Sequence, residues 1–414
     1  MIESIGEEAF NFQDERFADI QMLRYRLPDF ESLTIRQKQL IYCLSEATLF
    51  GRDITFDQFG KYNLRIRKTL EAVYLNFNGD RLEHNFRALE EYLKHVWFAS
   101  GIYHHYACDK FSPLFTEVFF RNEVLAIDSK LLPLNDGESV TSLLNELCPV
   151  IFDPTILPKR VDKSDGKDIV RSSACNYYDG VSQHEVEEFY AKLKKDGPTN
   201  EAPSYGLNST LVKEGDSIRE DVWKIGGKYS AAIEKIVYWL NSAKDFVEND
   251  QQLHVINLLI RYYETGDLHD FDIYSIEWLR EQEGRIDFIN GFIEVYGDPM
   301  GLKGSWEGIV EYKDLEATHR TQAISANAQW FEDHSPVDPQ FRKAIVKGVT
   351  ANVICAAMLG GDEYPASAIG INLPNADWIR AEHGSKSVTI SNLTHAYDMA
   401  AKGNGFREEF VIDA

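Results

Sequence analysis

Which chemistry a chain can carry is first a question of spacing between its histidines, cysteines and carboxylates. A zinc helix needs two His at i and i+4, so that both imidazoles face one side, and a third ligand elsewhere. None of the 11 histidines forms such a pair. The nearest approach, His184-Glu185-Val186-Glu187-Glu188, has no second His, and His104-His105 are adjacent, a spacing that predicts diverging rings. No G-x-S-x-G elbow, P-loop or G-x-G-x-x-G fingerprint is present. The five cysteines (Cys43, Cys108, Cys148, Cys175 and Cys355) include no C-x-x-C pair, so neither a zinc ribbon nor a thioredoxin-type motif is written here. A Cys/His dyad stays open but has no flanking signature. Asn208-Ser209-Thr210 and Asn392-Leu393-Thr394 match glycosylation sequons, patterns short enough to arise by chance, and are assigned no role. The stretch with a mechanism is Tyr364–Asn375, YPASAIGINLPN. A strand ending Asn-x-Pro-Asn can pair its backbone with an extended peptide, while two Asn amides past its end offer donors and acceptors. Pro374 stops further pairing. Read by itself, the segment is better taken as an ordinary strand with an Asn-capped turn.

The bulk properties narrow the partners. With 44% hydrophobic and 12% aromatic residues over 414 positions, the chain can bury a large core and hold two domains or one elaborate one. Its 66 acidic residues against 43 basic ones, net −23, argue against nucleic acid and anionic membrane, since phosphate binding needs clustered Lys and Arg. An acidic surface suits a peptide N-terminus, or simply solubility. No apolar run approaches 18 residues, so no membrane-spanning segment is expected. Scattered cysteines read as buried free thiols in a reducing compartment. The acidic start MIESIGEEAFNF lacks a signal's basic and apolar regions, which predicts a cytoplasmic protein; a signal removed before this numbering would place it in the periplasm.

The elements that must position these residues follow from periodicity. The first 110 residues are expected to be helical. They include a Thr34/Gln37 capping box, an amphipathic segment at Asn63–Phe77, and a third stripe (Phe86, Leu89, Leu93, Val96) closed by Gly101. Leu131–Gly180 is expected to be loop, punctuated by Pro133, Pro149, Pro154 and Pro158. Ser182/Glu185 caps a helix through Lys195, Asp196–Ser209 is a polar linker, and helices resume at Ser217, with Leu253–Tyr263 ended by Gly266. The texture turns to β at Arg285. Ile286–Tyr296, Trp306–Lys313 and Ala366–Leu373 are predicted to share one small antiparallel sheet. Helices are expected from Asp314 to Asp333, over Phe341–Leu359, and at Ala376–Glu382 and Ile390–Lys402.

Several pieces fall in one family's order and spacing: Phe292-Ile293-Glu294, Gly297-Asp298-Pro299, Trp306-Glu307-Gly308 and Gly370–Asn375. The chain resembles dipeptidyl peptidase III, a zinc exopeptidase family, of the bacterial, Bacteroides-like type. The resemblance covers essentially the whole chain and is tightest from Arg285 to Gly405. It implies a mainly α chain with a small antiparallel β-barrel, an α+β protein. Residues 1–310 and 356–402 would form a lower lobe. Residues 311–355 and 403–414 would form an incomplete helical part of an upper lobe. It implies that the strand Ile369, Gly370, Ile371, Asn372 and Leu373 binds substrate main chain. Asn372 and Asn375 would hold the substrate's N-terminus, and Asp287, where the family often has Glu, would supply the carboxylate for its ammonium. Ile289 stands where a Tyr is frequent, so a hydroxyl contact is lost. Tyr106 corresponds to an aromatic subsite residue. Asp287, Asn372 and Asn375 are expected to converge beside a solvent-facing strand edge.

The resemblance also implies zinc in the full-length protein, held by an H-E-x-x-G-H helix and an E-E-x-x-A helix. The chain contains no H-E-x-x-G-H, and the resemblance implies that both helices lie beyond Ala414. It is expected to bind no zinc, to contribute no catalytic residue, to be inactive alone, and to lack a C-terminal zinc-binding lobe. The parent activity is release of dipeptides from the N-terminus of oligopeptides. The competing reading is a non-enzymatic helical peptide-binding or scaffold protein.

Overall fold

A computed structural model describes residues 10–346, 349–365 and 367–401. A hairpin, β1 (Gln13–Phe17) and β2 (Ile20–Leu23), opens the chain where helix was expected. Helix α1 (Ile35–Phe50) starts at the expected capping box: Gln37 N–H donates to Thr34 Oγ1 at 3.2 Å and Thr34 N–H donates to Gln37 Oε1 at 2.9 Å. Then come α2 (Arg52–Gln58), α3 (Asn63–Asn76), α4 (His84–Phe98), α5 (Glu117–Ala126) and α6 (Val140–Phe152). Helices α3 to α6 enclose their own core, with Leu70, Leu93, Phe120 and Leu147 at its centre. Helix α6 corrects the loop reading of Leu131–Gly180. Its buried face Leu143, Leu144, Leu147, Cys148 and Ile151 keeps helical spacing, and Pro149 lies inside the helix rather than ending it. Packing of that face outweighs the backbone hydrogen bond a proline forgoes.

A short turn of helix, α7 (Ile169–Ser172), leads to β3 (Tyr178–Asp179) and α8 (Gln183–Asp196), which is capped by Ser182 and Glu185 as the sequence predicts. Ser217 does not restart a helix. It begins β5 (Ser217–Val222), paired with β4 (Ser209–Glu214) around Gly215-Asp216. Gly215 has φ +60°, the conformation a tight hairpin turn requires. Three helices follow, α9 (Ser230–Ala243), α10 (Asp250–Thr265) and α11 (Leu268–Arg280); Gly266 ends α10 at φ +68°.

The second core is built on a five-stranded sheet. Its strands are β6 (Ile286–Glu294), β7 (Ser305–Lys313), β8 (Val349–Gly361), β9 (Gly370–Leu373) and β10 (Ser385–Ile390), in the spatial order β6-β7-β8-β10-β9. The three expected strands do share this sheet, although Ala366 falls outside the described residues. Two further strands separate them, and β8 and β10 pair in parallel. The barrel is not closed, because β6 and β9 are its two edges. Residues 349–359 were expected to be helical and are strand instead. Val353 and Ile354 are β-branched, and a central position between β7 and β10 buries Ile354, Cys355 and Ala356 fully enough to override the helix preference of the neighbouring alanines. Between β7 and β8 lie α12 (Leu315–Ala326), capped by Asp314 as expected, and α13 (Ala328–Asp333). Helices α14 (Asp377–His383) and α15 (Ser391–Ala400) complete the described fold.

Both faces of β6 and β7 are buried, which sets them apart from amphipathic strands. One face, with Phe292 and Trp306, packs against α1 and α10; Trp306 Nε1–H donates to Tyr263 Oη at 3.2 Å. Full burial of a side chain such as Phe292 contributes about 1.5–3 kcal/mol. The opposite face carries Asp287, Glu307, Glu311 and, from β10, Lys386. Among the described residues no helix is long and apolar enough to cross a membrane.

Candidate peptide-binding site

Strand β9 is an edge strand. It pairs antiparallel with β10 in the register Gly370↔Thr389, Ile371↔Val388, Asn372↔Ser387 and Leu373↔Lys386, and its other edge has no strand partner among the described residues. Ile369, just before it, is 61% exposed while its carbonyl accepts from Ile390 N–H at 2.9 Å. Gly370 and Asn372 are exposed; Leu373 turns inward and is buried. Gly370 lets another backbone approach closely, since no Cβ projects there. The Asn372 side chain is steadied by Ser387 Oγ–H, which donates to Asn372 Oδ1 at 3.3 Å. The strand stops at Pro374, whose peptide bond with Leu373 is cis, and Asn375 follows, exposed.

The carboxylate beside Asn375 is not Asp287. Asn375 Nδ2–H donates to Glu294 Oε1 at 3.1 Å. Asp287 is 5% exposed and already engaged. Its Oδ1 accepts from Trp278 Nε1–H at 2.9 Å and from Phe288 N–H at 2.8 Å, and its Oδ2 accepts from Lys386 Nζ at 2.9 Å. Lys386 Nζ also sits 4.1 Å from the centre of the Trp278 ring. The ammonium that meets Asp287 is therefore the chain's own. Asp287 and Glu294 are seven positions apart, about 23 Å of strand, so the two acids stand at opposite ends of β6. A bulge between Phe292 and Glu294 also shifts the register by one residue, so simple alternation from Asp287 misdirects Glu294. Tyr296, next to Glu294, is 84% exposed and supplies a hydroxyl near the site that Ile289, buried in the sheet, does not. Glu294 stood in the matched segment Phe292-Ile293-Glu294 all along, the signal that could have found it.

Tyr106 is exposed in a loop whose conformation is set by His104: Tyr106 N–H donates to His104 Nδ1 at 3.2 Å. The His104 and His105 rings do not diverge but stack, 4.5 Å apart. His105 meets Phe98 at 5.2 Å, and Phe98 meets Tyr364, on the approach to β9, at 6.2 Å. Tyr106 thus joins the site's surroundings through a chain of rings.

Behind the Asn375–Glu294 pair lies a cavity of about 530 Å³. Phe271, Tyr274 and Trp278 of α11, Ile289 and Ile293 of β6, and Leu373 and Pro374 give it apolar walls. Asp272 lines it too, and burial, with Asp267 nearby, pushes its carboxyl up to about 7. Further inside the sheet, burial and neighbouring acids push Glu311 up to about 8, and burial lifts Glu363 to about 7 and Asp362 to about 6. Glu307 is raised well above the usual carboxylate range for the same reason. Glu294 and Asp377 thus stand at the cavity, with carboxyls raised by burial behind them. Among the described residues no group of three or more His, Cys, Asp or Glu side chains could hold a metal ion, so these residues do not fit a resident zinc.

The model of peptidase family M49 matches residues 184–410, more than half of the chain. Dipeptidyl peptidase 3 of Nematostella vectensis is 22% identical over 360 residues, covering 79% of this chain and 48% of that protein. The human dipeptidyl peptidase 3 is 28% identical over 184 residues, covering 44% of this chain and 25% of that protein. The chain thus spans about half the length, or less, of these curated relatives. Two solved structures share the fold at 16% identity. DPP III from Caldithrix abyssi has a TM-score of 0.64, covering 90% of this chain and 58% of that one. Dipeptidyl-peptidase III from Corallococcus sp. strain EGB has 0.65, covering 92% and 59%. With the strand, the amides and the helical frame falling where that family's sequence pattern runs, the chain belongs to peptidase family M49, the dipeptidyl peptidase III family.

Proposed function

We propose that this chain supplies the peptide-holding part of a zinc-dependent dipeptidyl peptidase that releases dipeptides from the N-terminus of oligopeptides. The observation that carries the reading is the β9 edge, without a strand partner among the described residues, running into Asn375 and Glu294. An extended peptide added to that edge exchanges main-chain hydrogen bonds with Gly370–Asn372, while its ammonium meets the Glu294 carboxylate and the Asn375 amide. A dead end at the ammonium measures length: two residues of extended peptide span about 6.6 Å, which sets where the scissile bond stands. Zinc in the full-length protein would polarise that bond; the residues described above hold, align and count. The other lobe is part of the same reading, with 311–355 and 403–414 belonging to it and 1–310 and 356–402 forming the peptide floor; residues 403–414 lie outside the described ones. The exposed Trp330, Phe331, Phe341 and Ile345 in the excursion support a covering partner there. A cytoplasmic setting belongs to the reading as well, and the cysteines, free among the described residues, support it.

The test is an NMR titration of the labelled chain with a tetrapeptide and with its N-acetylated form. Binding in the millimolar range is expected, about −4 kcal/mol, with shifts at Asn372 and Asn375 that acetylation removes. Equal shifts from both peptides would refute an ammonium site.

A further inference from the structure

The chain passes from β8 into β9 through residues 362–369, and one side chain fastens that passage from within. Its ends are tied to the sheet: Asp362 N–H donates to the Trp306 carbonyl at 3.0 Å, and Ile390 N–H donates to the Ile369 carbonyl at 2.9 Å. Tyr364 N–H closes a turn on the Gly361 carbonyl at 3.1 Å. Among the described residues, the two remaining hydrogen bonds of the passage both run to Glu363. Ala368 N–H donates to its Oε2 at 3.3 Å, and Ser367 Oγ–H donates to its carbonyl at 2.7 Å. Glu363 is 8% exposed. The groups that act on it are acids: Glu294 of β6, Glu307 and Glu311 of β7, and Asp362 of its own segment; the Arg160 guanidinium acts on Asp362. A glutamine would accept from Ala368 equally and spare the cost of a charge buried among like charges. Burial and those neighbours raise the Glu363 carboxyl to about 7, so its charge changes close to neutrality. When ionised it grips Ala368 N–H more strongly, and it adds negative charge near Glu294. A titrating acid that fastens the approach to a binding strand has a use beyond packing.

We propose that Glu363 is a positioning residue for peptide binding: its carboxyl, through Ala368 N–H, sets the passage that presents the β9 edge, and its ionisation strengthens the hold on a peptide. The proposal rests on the peptide-binding reading above. The sign follows from linkage: a peptide ammonium at Glu294 favours the ionised form of Glu363, so affinity rises as pH passes upward through the range where Glu363 loses its proton. Asp272 and Glu311 lose protons in the same range, so the dependence has to be assigned by substitution. Glu363→Gln keeps an acceptor for Ala368 and cannot ionise; Glu363→Ala keeps neither.

The experiment titrates the whole chain and both variants with tetra-alanine at about pH 6 and about pH 7.5, below the range where a peptide amine loses its own charge, and follows backbone amides by NMR. The unmodified chain is expected to bind about threefold tighter at the higher pH. Glu363→Gln should bind equally at both, with the amides of residues 368–373 where they stand in the unmodified chain. Glu363→Ala should displace those amides and weaken binding at both pH values. A pH dependence retained in Glu363→Gln overturns the coupling and assigns it to another acid. Undisturbed amides at residues 368–373 in Glu363→Ala, with unchanged affinity, overturn the positioning role. If tetra-alanine binds to none of the three proteins, the peptide-binding reading fails, while those amides still decide whether Glu363 sets the strand. Should Glu363→Ala not fold, the comparison of the unmodified chain with Glu363→Gln decides the question.

Discussion

At the scale of single residues, the site is organised by which charges already have partners. Asp287 and Lys386 are buried together, so removing one leaves the other uncompensated. Lys386→Met is expected to destabilise the chain by about 3–5 kcal/mol, read as a drop in the urea midpoint. The double variant with Asp287→Asn should recover much of that loss, because no lone charge then remains. If the two single effects simply added, the pair would not be the unit it is taken for. Glu294 is the opposite case, a carboxylate whose one hydrogen bond among the described residues comes from the neutral Asn375 amide. Glu294→Gln should lower affinity for a free N-terminus about tenfold, about 1.4 kcal/mol, and leave the affinity for an acetylated peptide unchanged, as measured by titration calorimetry. Both acids are visible in the sequence. Their roles are not, because 99 positions separate Asp287 from Lys386 and 81 separate Glu294 from Asn375.

At the scale of elements, β8 is where sequence and tertiary structure part most clearly. Its alanines favour helix, and its place between β7 and β10 makes it strand. The turn that ends it rests on Gly361 at φ +69°, packed against the Trp306 carbonyl. A Cβ there would be strained twice, by its backbone angle and by the collision. Gly361→Ala should therefore destabilise by more than about 1 kcal/mol and disturb the segment that leads to β9; thermal unfolding and the amide spectrum of Gly370–Leu373 would register both. Strands β6, β7 and β9 were legible from β-rich runs bounded by turns. The pairing order was not, since β10 enters between β8 and β9 from later in the chain. The capping boxes at Thr34 and Ser182 were legible because a cap is local. Helix α6 was hidden by Pro149, and the β4–β5 hairpin by polar residues on short strands.

At the scale of the whole molecule, the carboxyls inside the sheet tie stability to pH. Glu311, Glu363 and Asp362 sit at about 8, 7 and 6, above their unfolded values of about 4. The folded state therefore keeps protons that the unfolded chain releases. Their contribution is complete below about pH 4 and is lost as pH rises through the 6–8 window. Asp162 and Glu185 act oppositely: Lys167 and Lys213 hold them down to about 2, so their contribution is present above the ordinary carboxylate range and lost towards pH 2. The melting temperature at pH 5 is expected to exceed that at pH 8.5 by about 3 °C, and Glu311→Gln should flatten the slope. A higher melting temperature at pH 8.5 would contradict the burial argument. Trp330 and Phe331 on α13 are exposed, so Trp330→Ser with Phe331→Ser should change the chain's own stability by less than about 1 kcal/mol. The same pair should weaken association if a second lobe is supplied separately, as followed by analytical ultracentrifugation.

What the sequence determined by itself is local or compositional: caps, most helices, the β-rich turn at Arg285, the acidic balance, and the Asn-x-Pro-Asn strand end that led to the family. Each depends on residues close together in the chain, where spacing translates directly into a shared face or a turn. What only the tertiary structure decided is which groups meet. Burial joined Asp287 to a distant lysine, a one-residue bulge brought Glu294 to Asn375, and the packing of α11 on β6 buried Asp272 at a cavity wall. Those outcomes depend on register and on the dielectric around each charge, and neither is written in the order of residues along the chain.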